Sequence, residues 1–261
     1  MLQAERRQLR HDFGLAPELV DRYFPEKVRE DALTMIRQVN GVTTYLSWMA
    51  TGEPRLYEGT LFATAIAGMD VLTDEYGEPL ADGAVVSALG RNTDYRCLEP
   101  CALANREARG PRFDEALLAI AEWQDASAQQ FGDLSEELLW DITSGKGGAS
   151  ALAHLHAVKE DPSAEEEQFM FRFGTTMQLL DDYLDQPADR AAGISTLFTE
   201  GHRDGSDLRR RIERFTEECR CLWGDDTAVD RFGQVMRLHH RLATVENSYP
   251  GAATRLLPWY F

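Results

Sequence analysis

Carboxylates and an amide are concentrated in the segment QLLDDYLD, residues 178–185, among leucines and a tyrosine. These polar residues follow one another at i, i+3, i+4 and i+7, which puts all of them on one face of an α-helix. We call this set the 178–185 stripe; it consists of Gln178, Asp181, Asp182 and Asp185. Like charges at this spacing repel by about 0.2–0.5 kcal/mol per pair on an exposed helix, and a dry site favours their protonation. The stripe therefore predicts a positive charge nearby.

Two environments are open for the 178–185 stripe. On an outer helix face, water solvates the carboxylates and no ligand is needed. The flanking sequence favours the second environment, a cavity inside a helical bundle, because FMFRFGTTM and the interspersed apolar residues leave no broad polar face. An EF-hand is excluded by the spacing, since that loop requires alternating oxygen ligands followed by a glycine.

A second set of carboxylates lies upstream, in MDVLTDEYGE. Asp70 and Asp74, which we call the Asp70–Asp74 pair, share one face of another apolar helix. Two such helices predict carboxylates that face each other across a bundle interior. Mg²⁺ suits this arrangement, because it binds one or two carboxylates and completes its octahedron with water and phosphate oxygens. A di-iron centre would use Glu-x-x-His pairs, and none accompanies these positions.

Helices must position these groups, because apolar residues recur at helical spacing and alternating strand patterns are missing. The pattern predicts an all-α fold with a single domain over residues 1–261 and the metal motifs within 55–200. Glycines at 145, 147 and 148 are expected to bend or break their helix. The predicted helices cover about 25–50, 56–76, 81–91, 112–130, 133–158, 163–186, 206–223 and 226–247.

Composition excludes several classes of partner. With 27 Lys and Arg against 44 Asp and Glu, the formal charge of −17 disfavours nucleic acid and anionic membrane surfaces. The four cysteines match neither a zinc site nor a disulfide framework and are expected to be free thiols. No segment has the length and apolar character of a membrane span, and no leader pattern opens the chain. We expect a cytoplasmic protein without stable membrane insertion.

With these motifs in place, the chain resembles the class I isoprenoid synthases, which comprise trans-prenyl diphosphate synthases and terpene synthases. GTTMQLLDDYLDQPADRAAGISTL, residues 174–197, is similar to the second aspartate motif of that family, with its preceding glutamine and a downstream Gly-x-x-Thr-Leu. Asp70 and Asp74 match the first and last carboxylates of the first motif. Lys146 falls where the family carries a diphosphate-binding lysine. The resemblance covers roughly residues 55–200.

The resemblance implies a helical bundle of the isoprenoid synthase type with a central active-site cavity. It implies three Mg²⁺ ions, a linear isoprenyl diphosphate substrate of C10 to C20 or longer, and the homodimer that family members often form. The implied catalytic residues are Asp70, Asp74, Asp181 and Asp185, which bind the metal ions. Asp182 is implied either as a further metal ligand or as a residue that supports the other ligands. The implied diphosphate-binding residues are Lys146, Gln178 and Arg190.

Departures from the family pattern affect the predicted reaction. Val71 replaces the second aspartate of the first motif, and Pro79-Leu80 stands where chain-elongating synthases carry arginines. The early Gly-Gly-Lys-x-x-Arg-Pro segment of those enzymes has no counterpart, so a site for a second diphosphate is poorly supported. The Asn, Ser and Glu motif of bacterial terpene cyclases is also missing.

Three functions follow from these observations. The first is an atypical Mg²⁺-dependent terpene synthase, a lyase of isoprenoid biosynthesis that ionises one isoprenyl diphosphate and gives a cyclised or deprotonated terpene. The alternative is a prenyltransferase, an isoprenyl diphosphate synthase or a head-to-head enzyme, which uses the same ionisation to join two prenyl units or to prenylate an acceptor. The third is a noncatalytic helical protein whose acidic residues are structural or bind a metal for assembly.

Overall fold

The computed structural model describes residues 15–80, 83–91, 93–224 and 227–248. These residues form eleven α-helices and three short 3₁₀ helices, and they contain no strand, which confirms the all-α prediction. The α-helices are α1 (Leu15–Tyr23), α2 (Arg29–Thr51), α3 (Leu56–Tyr76), α4 (Ala84–Leu89), α5 (Glu99–Glu107), α6 (Phe113–Ser127), α7 (Glu136–Val158), α8 (Ala164–Leu184), α9 (Gln186–Ala192), α10 (Gly205–Trp223) and α11 (Thr227–Ser248). The 3₁₀ helices are Glu26–Val28, Arg96–Leu98 and Ala128–Phe131.

Glycines end two of the long helices at the positions that the sequence predicts. Gly52 ends α2 with a left-handed φ of 77°, and its N–H donates to the carbonyl oxygen of Trp48 at 2.8 Å. Gly77 ends α3 in the same way, with φ at 65°. Glycine adopts this conformation without the steric cost that a Cβ imposes. All eight predicted helices have counterparts, whereas α1, α5 and α9, of seven to nine residues, have none among the predicted helices.

The described residues are grouped in two compact units. The first unit contains the described residues up to Asp125 together with Ala153–Pro162, and the second contains Ala126–Leu152 together with the described residues from Ser163 onward. We describe each unit by itself. The single-domain assignment stays a prediction.

Helix α3 is the centre of the first unit. It packs against α1, α2 and α5. Leu61, Phe62 and Leu72 are almost completely buried, in agreement with the apolar composition of α3 on all sides. Its Gly68 faces the 3₁₀ helix Arg96–Leu98 so closely that a Cβ would lie 1.9 Å from the carbonyl oxygen of Cys97. This backbone contact brings the chain after α4 against the middle of α3.

Aromatic side chains hold the second unit together. Helix α8 packs against α10 and α11. The ring centroids of Phe169 and Phe215 are 5.6 Å apart, and those of Phe173 and Phe232 are 5.4 Å apart. These aromatic pairs join one face of α8 to both neighbouring helices. C-terminal to these aromatic residues, α8 continues into the 178–185 stripe.

A single carboxylate fixes the beginning of α8. Ser163 Oγ accepts the backbone N–H of Glu166 at 3.2 Å, and Glu166 Oε2 accepts the backbone N–H of Ser163 at 2.9 Å, which is a capping box. The other oxygen of Glu166 accepts the indole N–H of Trp223 at 3.1 Å. The start of α8 is thereby joined to the end of α10.

The expectation that the glycines at 145–148 interrupt their helix is wrong, because α7 runs without a break from Glu136 to Val158. A Cβ on Gly147 would lie 2.2 Å from the carbonyl oxygen of Gly174, and a Cβ on Gly174 would lie 2.0 Å from that of Gly147. A Cβ on Gly148 would meet the ring of Phe171 at 2.4 Å. Close packing of α7 on α8 therefore requires these glycines and compensates for their low helix propensity.

The eleven α-helices of the described residues differ in length and in apolar composition. None of them combines the length and the apolar composition that a membrane crossing requires.

Candidate functional site

The 178–185 stripe occupies the last two turns of α8 and the residue that follows it. Asp185 is the C-terminal cap of α8 and precedes α9, and its side chain does not cap α9. Asp182 is buried, Gln178 is partly buried, and Asp181 and Asp185 are exposed. The stripe therefore has one inward carboxylate and two that reach solvent. Neither the fully solvated nor the fully enclosed environment predicted from the sequence describes all of its members.

Protein donors occupy both oxygens of Asp182. Thr143 Oγ1 on α7 donates to Oδ2 at 3.1 Å, and Gln178 Nε2 donates to Oδ1 at 2.9 Å. The same amide nitrogen lies 3.3 Å from Asp181 Oδ2. Gln178 thus connects the buried carboxylate to an accessible one, and Asp182 supports the geometry of the stripe from behind.

Negative charge accumulates along the stripe and raises the pKa of its carboxyl groups. Burial raises the pKa of Asp182 to about 7, and the charge of Asp181 adds to this, while Gln178, Lys146 and Thr143 oppose it. Desolvation by neighbouring protein atoms also raises the pKa of Asp185 to about 7 although its side chain reaches solvent, with further contributions from Asp181, Asp189 and Glu246. All three charges that act on Asp185 are carboxylates. A cation at this position would relieve their repulsion.

Asp181 is accessible to solvent, and yet desolvation raises its pKa. Its side chain keeps an accessible surface, whereas desolvation is the largest cause of its raised pKa, opposed by Lys146 and Gln178. The two properties describe a carboxylate that reaches solvent from among closely packed protein atoms. For contact with a ligand the accessible surface decides, and Asp181 is open to one.

Lys146 is the cation that the sequence predicts beside the stripe. It precedes Gly147, which contacts Gly174 on α8, and its charge lowers the pKa of Asp181, Asp182 and Asp189 against the larger effect of burial. Its side chain is partly exposed. One lysine therefore stands beside several carboxylates, and the site keeps a net negative charge.

The structure adds residues that the sequence reasoning missed. Thr143 holds Asp182, and Asp189 continues the stripe on α9, where burial followed by the charge of Asp181 raises its pKa. Asp189 follows Asp185 by four residues, so the helical spacing contained this signal. Glu246 acts on Asp185 from α11, and the neighbouring Asn247 donates to the carbonyl oxygen of Tyr183. No local spacing could predict a residue this far along the chain.

Other predicted residues are not brought to the stripe. Arg190 is exposed on α9, and no contact among the described residues joins its guanidinium to the aspartates. Asp70 lies in the first unit, on α3, is partly buried and has a polar or charged interaction. The side chain of Asp74 lies outside the part of the chain that the structure describes. The Asp70–Asp74 pair and the 178–185 stripe belong to different units, and their pairing stays a prediction.

The kind and number of donors decide how well Mg²⁺ fits the stripe. The described residues contain no group of three or more histidine, cysteine, aspartate or glutamate side chains that could hold a metal ion. Mg²⁺ that binds together with a phosphate group takes only one or two carboxylates, and water and phosphate oxygens fill its other positions. Asp181 and Asp185 offer two accessible carboxylates. They fit an ion completed by a substrate, and they do not form an all-protein metal cage.

Comparisons of the chain with protein-family models, with curated proteins and with solved structures found no match in any of the three. The interpretation of the site therefore depends on the residues and contacts described above.

Proposed function

We propose that this chain is an atypical class I terpene synthase. It binds a linear isoprenyl diphosphate together with Mg²⁺, releases diphosphate, and lets the remaining carbocation cyclise or lose a proton. The observation that carries the proposal is the electrostatic interaction of Lys146 with the accessible carboxylate of Asp181, with Gln178 and Thr143 fixing the buried Asp182. Carboxylates for a metal and a lysine for an anion are the two requirements of a site for a metal diphosphate.

The reaction begins with cleavage of the allylic carbon–oxygen bond. The electron pair of that bond leaves on the diphosphate oxygen, and the carbon fragment keeps the positive charge. Bound Mg²⁺ would stabilise the charge that develops on the leaving group. Lys146 supplies a further positive charge, which stabilises the leaving group most strongly where water is excluded.

Each residue of the stripe has a separate role in this proposal. Asp181 and Asp185 hold the metal, because both are accessible. Asp182 is proposed to support the metal site without binding the ion, because it is buried and its two oxygens accept hydrogen bonds from Thr143 and Gln178. It orients Gln178, which in turn contacts Asp181. Asp70 and Asp74 are proposed as further metal ligands on the strength of the motif alone.

The carbocation that diphosphate release leaves behind needs an apolar surface that excludes water. Phe62 packs against Phe113 and His154 in the first unit, and Phe173 belongs to the aromatic core of the second. Both are almost fully buried, which is the behaviour of core residues. The surface that receives the prenyl chain is therefore part of the proposal and does not follow from these contacts.

The proposal is tested by incubating the purified protein with geranyl, farnesyl or geranylgeranyl diphosphate and Mg²⁺. Diphosphate release is measured, and organic products are identified by mass spectrometry. We expect release by the wild type and a loss of at least about a hundredfold in Asp181→Asn and Lys146→Gln. Asp133→Asn, which removes an exposed carboxylate outside the stripe, is the control and should keep the wild-type rate.

The products separate the competing functions. A hydrocarbon or alcohol formed from the allylic diphosphate alone identifies a lyase. Product that forms only after isopentenyl diphosphate or another acceptor is added identifies a prenyltransferase. Equal background release by the wild type and Asp181→Asn would identify a noncatalytic protein and overturn the proposal.

A further inference from the structure

A cluster of positive charge surrounds a tryptophan in the second unit, apart from the 178–185 stripe in sequence. We call Trp140, Arg203 and Arg211 the Arg–Trp cluster. The guanidinium carbon of Arg211 lies 4.9 Å from the centroid of the Trp140 ring, and that of Arg203 lies 6.0 Å from it. Each guanidinium is attracted to the indole, but the two cations repel each other. The cluster therefore gathers positive charge that the indole alone does not neutralise.

Carboxylates balance only part of this charge. Arg203 binds Glu136 at 2.7 Å, and His202 lies 3.7 Å from the same carboxylate. Asp207 pairs with Arg210 on α10. Within the described residues, no carboxylate forms an ion pair with Arg211. Its guanidinium is partly buried, so the missing counterion has an energetic cost that an anion from solution can remove.

The charges around Arg211 also favour binding of an anion, because most of them are positive. Burial, then the positive charges of Arg203 and Arg214, lower the pKa of Arg211, and only Asp207 opposes them. Since the whole chain carries −17, it has no general attraction for anions. An anion can bind here only through the local arrangement of guanidinium groups.

We propose that the Arg–Trp cluster binds the phosphate group of a small anionic ligand. A guanidinium presents its N–H donors in a planar fork that matches two phosphate oxygens, and a phosphate dianion can satisfy two such groups. The site needs no metal. It goes beyond the function proposed above, because none of its residues belongs to the 178–185 stripe and the prediction holds whether or not the protein releases diphosphate.

The test is a titration with inorganic diphosphate in EDTA, at constant ionic strength, followed by tryptophan fluorescence and by thermal shift. Metal-free conditions exclude metal-dependent binding at the aspartates. We expect saturable binding by the wild type, and binding at least tenfold weaker in Arg211→Gln. Arg209→Gln is the matched control, because Arg209 lies on the same helix with a side chain 70% exposed and pairs with Glu213. It should bind like the wild type.

A second measurement keeps the proposal testable should Arg211→Gln fail to fold. Wild-type protein is treated with phenylglyoxal, which modifies arginine, with and without diphosphate, and the sites are mapped by mass spectrometry. We expect diphosphate to protect Arg203 and Arg211 and to leave Arg209 reactive. The proposal would be overturned by any of three results: no saturable binding by the wild type, equal binding by the two glutamine variants, or no protection of Arg203 and Arg211 by diphosphate. The cluster would then be a purely structural contact.

Discussion

Gly147 and Gly174 meet where α7 crosses α8, and each leaves room only for the backbone of the other. Their contact places Thr143 and Lys146 of α7 beside the aspartates of α8. The candidate site therefore depends on a helix crossing that side chains would prevent.

Gly147→Ala should destabilise the protein. A methyl group 2.2 Å from the carbonyl oxygen of Gly174 must displace backbone, and overpacking of this kind costs about 1–3 kcal/mol. Urea denaturation followed by circular dichroism measures the change in the free energy of unfolding. Gly59→Ala in α3 is the control, because its Cβ would make only ordinary contacts, at 3.7 Å to Thr43 Oγ1 and 3.8 Å to His154 Cε1. Alanine should be neutral there or stabilising by up to about 1 kcal/mol. Equal effects of the two substitutions would contradict the close crossing.

Thr143→Val should lower stability by about 1–3 kcal/mol, because it removes a hydroxyl donor from the buried carboxylate of Asp182 while keeping the side-chain shape. Thr143→Ser keeps the hydroxyl and should cost less. Denaturation at pH 8, where the carboxylate is ionised, gives the clearest comparison. A valine variant as stable as the serine variant would show that the hydrogen bond contributes nothing.

The contribution of Asp182 to the stability of the protein should fall as the pH rises from 3.8 towards about 7. Burial raises the pKa of Asp182 from 3.8 to about 7, so the folded state holds a proton that the unfolded state has lost. Its contribution is complete below pH 3.8 and disappears as the pH passes through about 7, with a slope of at most about 1.4 kcal/mol per pH unit. Asp182→Asn should flatten the dependence measured in EDTA. An unchanged slope would mean that Asp182 stays ionised in the folded protein.

His154 should act in the opposite direction over much of the same pH range. It is buried in the first unit, with Nε2 3.1 Å from the carbonyl oxygen of Thr43, and burial lowers its pKa from 6.5 to about 4. The unfolded state therefore takes up a proton first, and stability is lost as the pH falls from 6.5 through 4. His154→Gln should reduce this loss, whereas His202→Gln, at an exposed position, should not. Denaturation curves between pH 4 and 7 distinguish the two variants.

Asp70→Asn tests the part of the site that is predicted from the sequence alone. If the Asp70–Asp74 pair holds Mg²⁺, diphosphate release should fall by at least about a hundredfold while the circular dichroism spectrum and the midpoint of unfolding stay close to those of the wild type. Glu58→Gln removes another carboxylate from α3, one that pairs with Arg109 at 2.8 Å, and it should leave the rate unchanged. A fully active Asp70→Asn enzyme would remove the pair from the mechanism.

Much of this fold could be predicted from helical periodicity and from the glycines at helix ends. Gly52 and Gly77 terminate α2 and α3 at the positions where the sequence predicts an end. Helix propensity predicts a break at the glycines of α7 and fails there, because it describes an isolated helix, whereas Gly147 packs against a neighbour distant in sequence. Local sequence contains no sign of such a crossing.

The same distinction applies to the candidate site. The spacing of Asp181, Asp182 and Asp185 predicts a shared face, but it does not show which carboxylate turns inward. That depends on Thr143, which approaches from another helix. Glu246 likewise reaches Asp185 from α11 through tertiary structure.

The carboxylate of Glu166 fixes the phase of α8 as well as its beginning. Its bond to Ser163 caps α8 itself, whereas its bond to the indole of Trp223 joins α8 to α10, so α8 cannot turn about its axis without breaking the Trp223 contact. A single residue inserted between Glu166 and Asp181 would rotate everything downstream by about 100°. The aspartates of the 178–185 stripe would then point away from Lys146, although all of them would still be present. The proposed release of diphosphate would be lost because the side chains were wrongly oriented about the helix axis.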